Sequence, residues 1–324
     1  MRILTYNIHG WRTIAGSPNL DEVTTVLQSA DADIVGLNEV YYPRVVSETP
    51  SSGASSPENK PALAVLAERL NMHYVFGPCH RWLATSELPA DGYGNALLSR
   101  WPIIASASHH LTSIAQIAQL RPAQVQTADM TGDTDISGLG PRRFDEQGKE
   151  QRGLLESRIL LPNRQTMTVY VTHLDHTDEE TRLRQLRSAR AWTVRDRNRA
   201  HIVLGDFNAI SLRDYAVQWG QQRVDDLERL SAHPKGAQLC GGSKGPRVVA
   251  QMEKSGYIDA LAQFTTSPPQ TFIPAKDQPI RVDYIFVSKP LAPHLKMCQV
   301  WTEPVGEEAS DHRPVMLDID LSEI

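Results

Sequence analysis

The sequence predicts an α/β (α+β) fold in which mixed β-sheets are covered by helices, and two observations carry this prediction. Short strand-like runs recur along the whole chain, from 2–8 to 313–321. Apolar stripes at helical spacing lie between some of these runs, whereas other runs follow one another at hairpin distance. The sequence shows no internal repeat and no clear linker, so we expect residues 1–324 to form a single domain.

The chain begins with a predicted strand at 2–8, in which alternate side chains point to opposite faces. Ile3, Thr5 and Asn7 share one face. The other face of the strand consists of Leu4, Tyr6 and Ile8. We expect Asn19 to cap the following helix. The apolar stripe of the helix consists of Leu20, Val23, Leu27 and Ala30.

The next part of the chain continues this alternation. A buried strand is predicted at 33–40, and a Ser- and Pro-rich loop at 47–61. A helix follows this loop, and its apolar stripe consists of Leu63, Leu66, Ala67 and Leu70. A strand is predicted next at 73–77. Residues 94–103 are predicted to form a strand, a turn at Trp101–Pro102 and another strand.

The carboxyl-terminal half opens with residues 120–150, which carry few apolar side chains and are predicted to form a long surface excursion. Thr177 and Glu180 have the spacing of a capping box for a helix that carries Leu183 and Leu186. A further helix is predicted at 223–231 and a loop at 241–247. The predicted strands are 166–174, 200–208, 281–288 and 313–321.

Composition excludes several classes of protein. The net charge of −5 gives no general attraction to nucleic acid or to an anionic membrane, although a local basic patch stays open. The chain lacks an apolar run of about 18 residues, so we expect no membrane span and no stable membrane association. Three widely spaced cysteines and a start without a signal-peptide pattern favour a cytoplasmic protein. For the oligomeric state, we favour a monomer.

Polar groups capable of chemistry lie in or beside the predicted strands, most of them at a strand end. Such ends hold side chains rigidly and leave room for a ligand. Carboxylate and amide oxygens are ligands that Mg²⁺ accepts, and histidines can move protons near neutral pH. These candidate residues are Asn7, Glu39, His173, Asp206, Asn208, Asp283, Asp311 and His312.

Local geometry constrains two pairs of these residues. Asp206 and Asn208 are two apart, so an extended chain points both to one side while Phe207 packs on the other. Asp311 and His312 are adjacent, and both can face one site only if the segment around them is a loop. Taken singly, each candidate has an ordinary structural interpretation. Asp283, for example, could simply pair with Arg281.

Seven segments together resemble the endonuclease/exonuclease/phosphatase superfamily, in order and in rough spacing, from residue 3 to residue 315. That group includes pancreatic deoxyribonuclease, abasic-site endonucleases, neutral sphingomyelinases and inositol polyphosphate 5-phosphatases. The resemblance implies a four-layer sandwich of two mixed β-sheets packed face to face with helices outside. It also implies Mg²⁺ or Mn²⁺ as cofactor and phosphoester hydrolysis as activity. The segments are TYNIHG, NEV, GNALLSR, THL, GDFNA, RVDYIFVS and SDHRPV.

The resemblance assigns roles around the metal. Glu39 matches the main metal carboxylate, Asn7 the amide beside the metal, and Asp311 a further acid on the metal side. Many members of the group have glutamine where this chain has Asn38. Because the metal carboxylate is kept, we expect little effect from that difference.

The resemblance also assigns the groups that act on the phosphate. Asp206 and Asn208 match the pair that orients the attacking water and holds the phosphate. His312 and Asp283 match a His–Asp pair. His173 matches the second histidine of deoxyribonuclease-like and sphingomyelinase-like members, where abasic-site endonucleases have tyrosine, which argues against an abasic-site specialist.

We expect a phosphodiester substrate, with nucleic acid, DNA or RNA, as the leading candidate. Arg152 loosely resembles a phosphate-contacting arginine. The alternatives are a sphingomyelinase-like phospholipid phosphodiesterase, an inositol phosphatase and, least favoured, a non-catalytic binding module. A membrane hairpin for the lipid alternative would have only Phe264, Phe272 and Ile273. Seven arginines between 182 and 199 favour a solvated outer helix over a phosphate-facing stripe.

Overall fold

The computed structural model describes most of the chain. The excursion predicted at 120–150 lies outside the described residues, as does the middle of the loop predicted at 47–61. The described ranges are 1–48, 58–82, 91–111, 151–232, 234–265, 269–273 and 280–321.

The strands and helices follow one another in the mixed order that the sequence predicts. The strands are β1 (Arg2–Asn7), β2 (Ile34–Tyr42), β3 (Val45–Glu48), β4 (Glu58–Pro61), β5 (His73–Trp82), β6 (Asp91–Ser99), β7 (Ile103–Leu111), β8 (Arg152–Leu160), β9 (Thr166–His173), β10 (His201–Asp206), β11 (Ile258–Asp259), β12 (Asp283–Val287), β13 (Leu295–Val300) and β14 (Val315–Ile319). The helices are α1 (Leu20–Ala30), α2 (Ala62–Leu70), α3 (Glu179–Thr193), α4 (Gln221–Ala232), α5 (Pro234–Leu239), α6 (Val248–Lys254) and α7 (Pro304–Ala309).

Two mixed six-stranded sheets form the centre of the molecule. The first has the strand order β13-β14-β1-β2-β6-β5, and the second the order β11-β12-β10-β9-β8-β7. Each sheet contains one central parallel pair, β1 with β2 and β9 with β10, flanked by antiparallel neighbours. The sheets pack face to face with helices on both outer sides, so the predicted four-layer sandwich is confirmed.

Three apolar clusters separate the layers, and strand alternation assigns residues to them. Ile3 lies between the two sheets with Leu204. Leu4 and Tyr6 point the other way and pack with α1 and α2. Val203 points to the outer side of the second sheet, where α3 and α6 cover it. The two faces predicted for the first strand are therefore confirmed, and Asn7 continues the face that meets the second sheet.

The two sheets approach each other closely where β2 faces β10. A Cβ on Gly36 of β2 would lie 2.2 Å from Leu204 Cδ1 and 3.2 Å from Val171 Cγ2. A Cβ at that separation would force the side chains of Leu204 and Val171 to move. Glycine at this position thus permits the close approach of β2 and β10.

A buried ion cluster ties the second sheet to the segment after β10. Arg281 is fully buried and donates to Asp214 at 2.9 Å and to Asp259 at 2.7 Å. Planar guanidinium groups suit such bidentate contacts with carboxylates. Pairing of Asp283 with Arg281, one interpretation that the sequence left open, is wrong because both acidic partners of Arg281 come from elsewhere.

Of the two predicted helix caps, the first is right in position only and the second is wrong. Asn19 occupies the N-cap position of α1, but its side chain makes no capping bond; its buried Nδ2 donates to the carbonyls of Ile8 and Arg12 instead. Helix α3 is capped by Asp178, which accepts from Thr181 N at 2.8 Å, and not by Thr177. A carboxylate at that position also complements the helix dipole, which a threonine hydroxyl cannot do.

The loop predicted at 47–61 is wrong at its ends, where β3 and β4 pair antiparallel. Pro61 is accommodated because a two-stranded sheet has only edges and needs no further partner for that residue. The sequence patterns do not predict α5, α6, α7, β8, β11 and β13. Strand β13 is an edge strand with Cys298 as its one buried residue, so it carries no alternating signal.

Helix α3 is not wholly solvated. Arg182 is fully buried, pairs with Glu179 at 3.0 Å and donates to the Asp175 carbonyl at 3.1 Å. The helix needs this arginine to join it to the loop that follows β9. Among the described residues, no helix combines the length and apolar character needed to cross a membrane.

We expect Arg281→Ala to lower the free energy of unfolding by about 3–5 kcal/mol, because it leaves two buried carboxylates without their cation. Urea denaturation measures this change. The control is Arg213→Ala, which removes a half-exposed arginine paired with Glu253 at 3.1 Å and should cost less than about 1 kcal/mol. Equal losses in the two variants would contradict the importance of the buried cluster.

Candidate active site

The polar residues predicted from strand ends meet at one end of the sandwich. Asn7 pairs in register with Asn38 of β2, and Asp206 pairs with His173 of β9 and with Asp283 of β12. Because β1 and β10 end at the same edge of the two facing sheets, their last residues come together between the sheets. The strand registers thus bring these groups together before any loop contributes.

Asn7 joins carboxylates from the two sheets. Its Nδ2 donates to Glu39 Oε1 at 3.1 Å and to Asp206 Oδ2 at 3.2 Å. Its Oδ1 accepts from the backbone N–H of His9 at 3.1 Å. One buried carboxamide therefore bridges an acid of the first sheet and an acid of the second.

The pKa of the Asp206 carboxyl group is raised by its surroundings. Burial, together with the nearby negative charge of Asp283, raises its pKa to about 7, although His312 acts in the opposite direction. A buried group with this pKa exchanges a proton easily near neutral pH. The crowding of acids around Asp206 leaves an excess of negative charge between the sheets.

His312 and Asp283 form a hydrogen-bonded pair. His312 Nδ1 lies 2.8 Å from Asp283 Oδ2, and its Nε2 lies 3.8 Å from Asp206 Oδ2. Burial works against the charged imidazole, but Asp283, Asp206 and Asp311 outweigh it and raise the pKa of His312 well above its usual value. His312 is therefore a charged donor whose Nε2 faces Asp206.

His173 has the opposite character. Burial and the positive charge of Arg152 lower its pKa well below the usual value. Arg152 Nη1 lies 2.8 Å from His173 Nδ1, and a guanidinium has only donors, so Nδ1 accepts and the ring proton is on Nε2. That Nε2 lies 3.4 Å from Asp206 Oδ2. The site thus holds one neutral and one charged histidine on either side of Asp206.

Arg152 lies behind His173. It is buried, and its other contacts are with Tyr93 at 3.3 Å and with His176 Nδ1 at 3.2 Å. Its predicted contact with phosphate stays a prediction. The contacts described give Arg152 a definite task, which is to fix the tautomer and charge of His173.

Asn208 reaches the site by a turn, so the extended geometry predicted for this segment is wrong. Strand β10 ends at Asp206, and Asn208 has a left-handed φ of 47°. Asp206 Oδ1 accepts from Asn208 N at 2.8 Å, which is the hydrogen bond of an Asx turn. Phe207 is buried in the outer cluster, as predicted. Asn208 Nδ2 donates to the Leu174 carbonyl at 3.1 Å.

Glu39 is aimed by a backbone irregularity. Its φ is 59°, and the register of β2 against β6 shifts between Leu37 and Val40. Such bulges redirect a side chain near a functional site. Asp311 lies before β14, outside the strand, as predicted, and its Oδ1 is 4.0 Å from His312 Nε2.

The carboxylates of this cluster fit a divalent cation. Single ligand atoms of Asp206, Asp283 and His312 lie within 4.8 Å of one another, but a charged imidazole has no free lone pair, so the two carboxylates are the candidate ligands of this group. Asp283 Oδ1 is buried and has no hydrogen-bond partner within the described part of the chain. Buried carboxylate oxygens in excess are what Mg²⁺ or Mn²⁺ neutralises. This group shares no residue with the predicted metal set of Asn7, Glu39 and Asp311, and the contact of Asn7 with Asp206 at 3.2 Å connects the two.

Asn38 has a role that the sequence did not suggest. It is fully buried, accepts from Asp206 N at 2.9 Å, and donates to the Thr172 carbonyl at 3.0 Å and to Asn95 Oδ1 at 2.8 Å. A Cβ on Gly205 would lie 1.8 Å from the Thr172 carbonyl oxygen, so glycine permits this approach. The motif NEV contains Asn38, but the role of this residue follows only from its contacts between the two sheets.

Comparison with known proteins places these features in a family. The family model described as the Endonuclease/Exonuclease/phosphatase family matches residues 4–312. No curated protein matches the chain.

Solved structures share the fold. An endonuclease/exonuclease/phosphatase from Beutenbergia cavernae is 19% identical with a TM-score of 0.65, covering 99% of this chain and 71% of that one. An AP endonuclease from Archaeoglobus fulgidus is 16% identical with a TM-score of 0.59, covering 99% of this chain and 100% of that one. A mannosyl-6-phosphatase from Bacteroides thetaiotaomicron has the same four values.

We expect Asn38→Ala to lower kcat on a small phosphodiester such as bis(p-nitrophenyl) phosphate by about tenfold or more. The substitution removes the acceptor that holds the Asp206 backbone, and about 1.4 kcal/mol of lost transition-state stabilisation corresponds to that factor. Steady-state kinetics with a divalent metal measures it.

Asn95→Ala is the matched control, because it breaks the same amide pair without contacting Asp206. Urea denaturation should show a comparable loss of stability in both variants. An equal fall in kcat for Asn95→Ala would mean that Asn38 acts through general packing alone.

Proposed function

The chain belongs to the endonuclease/exonuclease/phosphatase family and is a phosphoester hydrolase, and on that premise we propose that it is a Mg²⁺-dependent phosphodiesterase acting on nucleic acid. One observation carries the proposal: Asp206 lies between a charged His312–Asp283 pair and a neutral His173. Asp206 is an acceptor with a histidine donor on each side, so it can orient a water molecule while the histidines contact the phosphate that the water attacks. In this proposal residues 1–324 act as one cytoplasmic catalytic domain.

A divalent metal would be held by Glu39, Asp206 and Asp311. These acids would supply hard oxygens, and Asn7 provides an amide within hydrogen-bond distance of the first two. A divalent cation bound there supplies charge stabilisation for the phosphoryl oxygens in the transition state. Mg²⁺ and Mn²⁺ both suit this donor set.

Asp206 and Asn208 hold the attacking water. Asp206 Oδ2 lies 3.4 Å from His173 Nε2 and 3.8 Å from His312 Nε2, so its carboxylate is placed to orient a water molecule between the two histidines. Asn208 is fixed by its contact with the Leu174 carbonyl at 3.1 Å and presents its amide beside Asp206. Together they orient the water for in-line attack.

The two histidines stabilise the phosphoryl group. His312 is kept charged and oriented by Asp283, and its Nε2 donates to an oxygen of the phosphate. His173 donates from Nε2 as a neutral group, since Arg152 occupies Nδ1. A phosphate contact by Arg152 itself would be additional to this positioning role.

The lipid alternative is disfavoured by the apolar residues it requires. Phe272 packs edge-on against His312 with ring centroids 5.2 Å apart, and Ile273 is buried. Phe264 is partly buried against the cluster between the sheets. Side chains engaged in this way are not free to insert into a membrane.

We expect the protein to nick supercoiled plasmid in the presence of Mg²⁺, and nicking to stop with a chelator. His312→Ala should lower the rate by about 10²–10⁴-fold, because it removes the charged donor. Glu39→Ala and Asp206→Ala should likewise abolish turnover with the fold intact. Gel electrophoresis of plasmid forms measures the rate, and circular dichroism checks the fold.

A parallel assay with bis(p-nitrophenyl) phosphate separates the two parts of the proposal. Metal-dependent turnover of this compound without nicking would retain the phosphodiesterase and reject nucleic acid as substrate. Wild-type turnover in His312→Ala on both substrates would reject the assigned chemistry itself.

A further inference from the structure

A cationic cavity lies at the end of the second sheet opposite the candidate active site. Its volume is about 520 Å³, within the range of small-molecule sites. Helix α3 forms one wall, and the turns after α6 and after β12 form the others. His201 at its floor begins β10, whereas Asp206 ends that strand, so about 17 Å separates the cavity from the catalytic acids.

Four cations line this cavity. They come from two separate elements, with Arg187, Arg190 and Arg197 on and just after α3 and Lys289 after β12. None of the four has a carboxylate within 4.0 Å among the residues that the structure describes. The arginines follow one another along one side of the helix, which is the phosphate-facing stripe that the sequence left as its less favoured interpretation.

Several other arginines of the described chain are paired with acids. Arg69 pairs with Asp21 at 2.7 Å, Arg223 with Asp226 at 3.1 Å, and Arg195, which adjoins the same helix, pairs with Glu156. The chain as a whole carries a net charge of −5, so acids are not scarce. Four unneutralised cations around one concavity repel one another, and an anion in the cavity relieves that repulsion.

The floor of the cavity is polar, ordered and uncharged. His201 Nδ1 lies 3.0 Å from the Arg199 carbonyl, so it donates, and Nε2 then accepts from the Tyr257 hydroxyl at 2.8 Å. Ser288 Oγ accepts from His201 N at 3.0 Å and donates to the same Arg199 carbonyl at 3.1 Å. Burial lowers the pKa of His201 and keeps it neutral. Positive charge is therefore confined to the rim.

A buried acid near the floor, Asp196, does not pair with the rim. It accepts from the Tyr170 hydroxyl at 2.7 Å and lies 3.7 Å from Arg199, which is not among the lining residues. Within the described chain, its oxygens make no ion pair with the four lining cations. A rim of cations over a neutral floor suits a ligand with several negative charges at one end.

We propose that this cavity is a second ligand site, distinct from the catalytic centre, which binds a small molecule carrying two or more phosphate groups. The phosphates contact the arginines of α3 and Lys289, and any attached ring rests on the floor beside Tyr257. Two sources share this chemistry, an inorganic oligophosphate and a nucleoside polyphosphate.

Isothermal titration calorimetry with inorganic triphosphate, ATP and adenosine tests the site, with EDTA present so that no metal bridges a phosphate to the catalytic acids. We expect triphosphate or ATP to bind and adenosine not to bind. Tighter binding of ATP than of triphosphate identifies a nucleotide site, and equal binding an oligophosphate site. Failure of both phosphates to bind would overturn the proposal.

Variants locate the binding. Arg187→Ala combined with Arg190→Ala should weaken binding at least about tenfold, since each charge-assisted contact contributes about that factor. Lys289→Ala removes a cation from the other wall and should weaken binding in the same direction. Arg195→Ala, a cation removed next to the same helix but outside the cavity, is the matched control and should bind as wild type.

A fourth variant tests the catalytic centre as the alternative binding place. Asn208→Ala should leave binding unchanged, because the cavity does not include that residue. Binding that is lost in Asn208→Ala but kept in the cavity variants would overturn the proposal and assign the anion to the catalytic site.

Discussion

Two acids from opposite sheets share one buried carboxamide, and the candidate active site depends on that arrangement. Glu39 belongs to the first sheet, Asp206 to the second, and Asn7 donates to both. Carboxylates collected in a buried place are costly unless a cation or strong donors accompany them. That cost explains why the pKa of Asp206 is raised to about 7 and why His312 is kept charged beside it. The same excess of negative charge is what makes the site suitable for a divalent metal.

The rest of the fold keeps the two sheets in the one alignment that allows this contact. Asn38 bonds to the Asp206 backbone across the interface, and Gly36 lets the sheets approach where any Cβ would meet Leu204. A shift of one residue in either sheet would turn the inward polar side chains to the opposite face. Behind the site, Arg281 holds Asp214 and Asp259 and so fixes the chain on either side of β10 and β12. Stability and the positioning of the catalytic groups therefore have the same structural origin.

The sequence predicts strands well where alternation is strong. The apolar pattern predicts β1 and β10. The same pattern shows which polar residues stand at the strand ends, so the sequence indicates where the candidate site lies. The edge strand β13 has almost no buried residue and gives no signal. The bonds of Asn38 depend on contacts between sheets, which local sequence does not encode. The left-handed turn at Asn208 is a local Asx turn made by Asp206, which a strand pattern running through Asp206 does not reveal. The buried position of Arg182 likewise depends on the distant Gln238 carbonyl.

Calorimetric titration with Mn²⁺ tests most directly whether acids from the two sheets line one metal site. If they do, Glu39→Gln and Asp206→Asn should each weaken Mn²⁺ binding at least about tenfold, the lower end of what loss of a partner of a metal ligand costs. Glu68→Gln, which alters an exposed acid paired with Lys60, should bind Mn²⁺ as wild type does. Wild-type affinity in Glu39→Gln, with the fold intact, would contradict a metal site built across the two sheets.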